Sequence, residues 1–154
     1  MARQFLHPGF NYGRAVGINL ITSDGVRPVS FDPDLFDYGP NNIDREAVRN
    51  AQPALGFSGF RVHFPVNDAA YKDEVLVFQG ASYFRALGAG QRYGLSARGV
   101  ALDTGEMSGE EFPEFVEFWI ARPSADDRHL VIYALMDSPR LTGAYRFELH
   151  PDTR

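Results

Sequence analysis

Five carboxylates crowd one stretch of the chain: Glu106, Glu110, Glu111, Glu114 and Glu117 fall within twelve residues, with Phe118 and Trp119 directly behind them. Carboxylate oxygens accept hydrogen bonds from sugar hydroxyls. Aromatic faces offer a broad apolar surface against which the C–H face of a pyranose stacks. Two carboxyl groups at a suitable separation also run glycoside hydrolysis, one as acid and one as base. Carboxylates beside rings are therefore what a glycan groove needs. The competing reading of the same residues is a solvated acidic turn, with Trp119 as ordinary core.

A second stretch, Gln79 to Gly94, carries four glycines, two glutamines and two Tyr-Arg neighbourhoods, Tyr83 with Arg85 and Arg92 with Tyr93. A long connection of this make-up brings polar groups to a backbone that a ligand can approach closely. It lacks the strand–GxxxxGK[ST]–helix order of a phosphate loop, so nucleotide binding is not expected. The alternative is a packed connection whose arginines pair with the nearby carboxylates.

Other reactive side chains are less organised. His7, His63, His129 and His150 have no ligand-like spacing and read as surface or strand-edge residues. Ser58 lies in Gly56-Phe57-Ser58-Gly59, which is not the G-x-S-x-G turn of an activated serine. Asp103 and Asp137 each close an apolar run, where a carboxylate caps a turn more readily than it reaches a cleft. Cysteine is absent, which excludes disulfides, thiolate metal sites and a cysteine nucleophile.

The elements that must position these residues are mostly strands. The chain has 154 residues, 44% hydrophobic and 23% charged, with 13 Phe and 7 Tyr, a ring content that favours sheet over helical bundle. Its net charge of −5 argues against nucleic-acid binding. Fourteen of its fifteen basic residues are Arg, a skew that coding bias produces as readily as function does. No apolar run reaches the roughly 20 residues of a membrane span, and Met1 to Gly9 has no apolar core of signal-peptide length. Both ends read as cut, since the strand at Tyr145 to His150 stops four residues before Arg154.

Phe60, Val62 and Phe64 alternate with Arg61 and His63, and Tyr145, Phe147 and Leu149 alternate with Arg146, Glu148 and His150, the period of half-buried strands. Leu130 to Met136 is apolar throughout, as in a strand covered on both faces. Val16–Ile21, Val26–Phe31, Val75–Phe78 and Leu95–Leu102 complete the set, with Asp24-Gly25 as a hairpin turn. Asn42 or Asp44 caps one short helix to about Asn50, and Pro53 stops it. Ser108 to Pro123 fits a capping box at Ser108 and Glu111 or, preferably, a strand with Val116, Phe118 and Ile120 on one face and Phe115, Glu117 and Trp119 on the other. Seven to nine short strands with one helix predict an all-β, mainly antiparallel sandwich or barrel.

Several long stretches resemble the periplasmic glucans biosynthesis protein G/D family of Gram-negative bacteria. They are Phe57-Ser58-Gly59-Phe60-Arg61-Val62-His63-Phe64-Pro65, Tyr71 to Arg85, Gly90 to Gly99, Ser108 to Trp119 and Ile132 to Tyr145, with Phe36-Asp37-Tyr38-Gly39 upstream. The resemblance implies a periplasmic protein that takes part in making osmoregulated glucans with a β-1,2-linked glucose backbone. It implies a large sandwich similar to galactose mutarotase, holding a glycan cleft, followed in full members by a smaller immunoglobulin-like domain. Family members resemble β-1,2-glucan hydrolases that invert the anomeric centre with two aspartates, and no metal or organic cofactor is implied.

Residues 1–154 correspond to the early-to-middle part of that sandwich, treated as one domain, and the resemblance places the catalytic aspartates beyond Arg154. No catalytic residue is therefore assigned within the chain. Tyr83, Arg85, Arg92, Tyr93, Glu110, Glu111 and Trp119 match family motifs, and their residue types mark them as cleft-lining candidates. The contrasting expectation is a non-catalytic structural or interaction module, paired with a second copy through open sheet edges.

Overall fold

A computed structural model describes residues 1–7, 15–50, 56–124 and 126–151. Ten strands among them form two five-stranded sheets. The first contains β1 (Ala2–Leu6), β4 (Gly59–Phe64), β5 (Asp73–Gln79), β6 (Tyr83–Ala86) and β7 (Leu95–Arg98), side by side in that order and antiparallel throughout. In the second, the order is β10 (Thr142–Leu149), β9 (Leu130–Asp137), β8 (Glu114–Ala121), β2 (Gly17–Thr22) and β3 (Gly25–Pro28). Its pairs are antiparallel except for β2 with β8, which run parallel. The expected all-β sandwich is present, with one parallel pair that local sequence does not announce.

Rings join the sheets. Phe60 and Phe78 of the first sheet meet Phe118 of the second at centroid distances of 5.1 and 5.0 Å, and Phe84 meets Phe147 at 5.4 Å. Phe60, Val62, Phe78, Phe118, Ile120, Ile132 and Met136 are buried between them. Each large apolar side chain removed from water contributes about 1.5–3 kcal/mol, so this layer dominates the fold's stability. Because side chains alternate along a strand, the neighbours of these rings point to the two outer faces.

Several expectations are refined. The β2–β3 hairpin turns through Ser23 and Asp24, with Gly25 (φ +115°) already paired to Thr22, one residue earlier than the Asp24-Gly25 signal places it. Strand β8 confirms the preferred reading of its segment but not its two faces. A register shift between Phe115 and Glu117 swings Phe115 into the core beside Phe118 and Ile120. One extra residue in a bulge inverts the alternation on one side of it. Strand β9 is buried fully on one face only, since Tyr133 on the other is 39% exposed.

The stretch from Leu95 pairs as β7 only to Arg98, and Leu102 makes instead an isolated bridge to Glu111. The helix α1 (Arg45–Asn50) is capped by Asp44, whose Oδ1 accepts from the backbone N–H of Glu46 and Ala47, both at 3.0 Å. Pro53, expected to stop it, lies outside the described residues.

Candidate functional site

The stretch read as a long polar connection contains strand β6, which pairs with β5 on one side and β7 on the other. Period two alone sorts its side chains. Phe84 turns into the core against Phe78, while Tyr83 and Arg85 face outward. Register then lines up Arg61, Val77, Arg85 and Ser96 in one row across β4, β5, β6 and β7. These residues, with Glu74, Gln79 and Tyr83, enclose a groove of about 210 Å³ on the outer face of the first sheet.

Around this groove the polar groups are unevenly satisfied. Arg61 Nη1 lies 3.0 Å from Glu74 Oε2, whereas Arg61 Nε is buried without an acceptor among the described residues. The stem of Arg85 runs over Gly94: a Cβ at that position would lie 2.5 Å from Arg85 Cγ. Arg92 and Tyr93 precede Gly94 in the β6–β7 connection and are both exposed, Tyr93 at 85%.

Tyr83 also belongs to a stack. The Arg98 guanidinium lies over two rings, 5.3 Å from the centroid of Tyr83 and 5.6 Å from that of Phe112, and pairs with Glu110. Thr104 Oγ1 donates to the same Glu110 oxygen. A cation in contact with two aromatic rings and a carboxylate is held by several attractions at once. A second hollow of about 290 Å³ opens at the sandwich end and shares Gln79 and Tyr83 with the groove. Phe78, Phe115 and Phe118 floor it, and Ser58 and Glu114 add polar groups.

The five clustered carboxylates do not converge. Glu110 is held by Arg98, Glu111 by Arg140, and Glu117 accepts from Asn19 Nδ2 at 2.8 Å on the second sheet. Glu111 also accepts from the backbone N–H of Arg140 at 3.1 Å, while Arg140 reaches Asp103. These contacts tie the 99–113 connection to the β9–β10 turn. Hydrogen bonds from Ser138 and Arg140 hold the Glu111 carboxyl below the usual carboxylate range.

Of the seven residues named from sequence, the structure gathers Tyr83, Arg85 and Glu110 at one surface, while Arg92 and Tyr93 are exposed in the β6–β7 connection outside the groove lining. Glu111 serves as a structural tie. Trp119 does not join them: beyond the bulge it alternates with buried Phe118 and Ile120, so it lies on the outer face of the second sheet, beside Tyr133 in register. Arg61, Glu74, Ser96, Arg98 and Phe112 complete the surface and were not singled out. The polar alternation of Arg61 and His63 in β4 was the available signal for the first. His129 and His150, distant in sequence, stack at 5.4 Å just before β9 and just after β10, away from this surface.

The described residues thus form a β-sandwich with a polar, ring-flanked groove on one outer face. Over residues 1–154 the chain matches the family described as periplasmic glucan biosynthesis protein, MdoG. It is 57% identical over 149 residues to Glucans biosynthesis protein G of Ralstonia nicotianae, covering 97% of this chain and 29% of that protein. To the protein of the same name from Pectobacterium atrosepticum it is 54% identical over 148 residues, covering 96% and 28%. In Pseudomonas aeruginosa the figures are 54% over 147 residues, 96% and 27%.

The chain belongs to the periplasmic glucan biosynthesis protein family, and it spans between a quarter and a third of the length of these relatives. No helix among the described residues is long and apolar enough to cross a membrane.

Proposed function

We propose that the outer face of the first sheet binds a β-glucan with a β-1,2-linked glucose backbone, and that this is the chain's share in periplasmic glucan biosynthesis. The observation that carries the reading is the Tyr83–Arg98–Phe112 stack, clamped by Glu110 and continuous with the polar groove. Rings present a flat face to a pyranose, and Gln79, Ser96 and the arginines supply donors for its hydroxyls. The same reading gives full-length relatives a sandwich of the galactose-mutarotase kind and two aspartates outside residues 1–154 that hydrolyse the glucan with inversion. That chemistry wants carboxyls about 6.5–9.5 Å apart with a water between them. The present chain then holds the glucan rather than cutting it.

Thermal unfolding with and without linear β-1,2-glucooligosaccharide tests this. Ligand at a hundredfold excess over its dissociation constant stabilises by about 2.7 kcal/mol, so the midpoint rises. A midpoint unmoved by the β-1,2 oligosaccharide, or raised equally by a β-1,4-linked one, overturns the reading.

The second reading, an interaction module, rests on β10. This eight-residue strand pairs only with β9 among the described residues and leaves an open edge that suits a second copy. Light scattering decides it: a monomer across the accessible concentration range removes it.

A further inference from the structure

Arg85 makes no hydrogen bond or ion pair among the described residues, yet its stem is confined over Gly94. Across Val77 stands Arg61, two strand spacings or about 10 Å away at the backbone. Glu74 takes one Nη of Arg61 and leaves Nε with no acceptor. The groove thus holds two guanidinium groups against a single carboxylate, in a chain whose net charge is −5. The hollow therefore carries one cation more than it has carboxylates to pair with it.

We infer that this groove is an oxyanion site, taking a phosphate or carboxylate group carried on a sugar between Arg85 and Arg61. Guanidinium forks match both groups with paired, charge-assisted hydrogen bonds. Ser96 and Gln79 stand beside them to take the sugar hydroxyls. In its sugar component the inference rests on the glucan reading. The anion contact stands separately.

Titration of the isotope-labelled chain with inorganic phosphate, glucose 6-phosphate, glucuronate and glucose, followed at the arginine Nε–H resonances, tests it. Glucose 6-phosphate is expected to shift Arg61 and Arg85 saturably and to bind at least fivefold more tightly than glucose. Glucuronate against glucose 6-phosphate shows which oxyanion is preferred. R85Q is expected to lose at least fivefold in affinity and R85K to fall between. E74Q, which frees Arg61, is expected to bind more tightly, an outcome that damage to the fold cannot produce.

No saturable shift with any oxyanion, or an affinity unchanged in R85Q, overturns the inference. The neutral β-1,2-glucooligosaccharide is titrated into the same samples. If it binds while every oxyanion fails, this inference alone falls; if oxyanions bind while it fails, the glucan reading alone falls.

Discussion

Arg98 stands over Tyr83, its guanidinium carbon 5.3 Å from the ring centroid, although the two residues lie on neighbouring strands and fifteen positions apart. The register of β6 with β7 pairs them directly, and the same guanidinium lies 5.6 Å from the ring centroid of Phe112. Tyr83 therefore has one face committed and its remaining surface, 38% exposed, turned to the groove. Tyr83→Ala removes a sugar-stacking ring and half of the clamp on Arg98. Binding of β-1,2-glucooligosaccharide is expected to weaken about tenfold, equivalent to about 1.4 kcal/mol. Loss of the ring contact is expected to cost stability only about 0.5–1 kcal/mol. Calorimetric titration beside a denaturation curve separates the two effects.

Gly59 fixes how β4 meets β5. Its φ is +148°, and a Cβ would lie 1.9 Å from the carbonyl oxygen of Phe78. No side-chain rotation relieves an overlap with backbone, so the strands must part. Gly59→Ala combines positive-φ strain of about 1–2 kcal/mol with overpacking of about 1–3 kcal/mol. A loss of roughly 3 kcal/mol is expected in urea denaturation. A change below about 1 kcal/mol would show that β4 and β5 do not meet in this register.

Glu111 makes stability pH-dependent. Hydrogen bonds from Ser138 and Arg140 depress its folded-state pKa, so its contribution is fully present above the unfolded value of about 4.3. It is lost as the pH falls through the lower folded value. In Glu111→Gln the stability difference from the parent chain is expected to stay constant down to about pH 5 and then shrink with further acidification. Denaturation midpoints measured between about pH 6 and pH 3 check this; a difference that grows with acid contradicts the assignment.

What could be read from the sequence follows from the range of each physical signal. Period two exposed β4 and β10, because one face of each packs on rings and the contrast is local, whereas β9 showed only as an unbroken apolar run. Strand β6 escaped because it has only four residues, and its neighbours Gly80, Gly88 and Gly90 resemble loop chemistry. Its partners β5 and β7 make it a strand, and that pairing is tertiary. The bulge at Val116 escaped for a similar reason, since nothing in the residue types of β8 marks an extra residue. The candidate site divided accordingly: Tyr83, Arg85 and Glu110 were visible as reactive types. Arg98 and Phe112 were not, since only the register of β6 with β7 and the 99–113 connection bring them to Tyr83.

Trp119 offers the sharpest check on the face assignment. A tryptophan after a row of carboxylates invites placement in the glycan groove, but the fold puts it on the outer face of the second sheet, opposite Tyr83 across the ring layer. There it pairs in register with Tyr133 of β9 and Asn19 of β2. Trp119→Ala is expected to cost about 2 kcal/mol of stability, roughly half the penalty of truncating a fully buried large ring. Glucan affinity, measured where the variant is still folded, is expected to match the parent chain within about twofold, a difference of about 0.4 kcal/mol. If Trp119→Ala instead weakens binding as much as Tyr83→Ala does, the ligand engages the second sheet as well, and the groove on the first is not its sole seat. Equal weakening would also require one glucan chain to span both outer faces, or two separate sites, and binding stoichiometry distinguishes these.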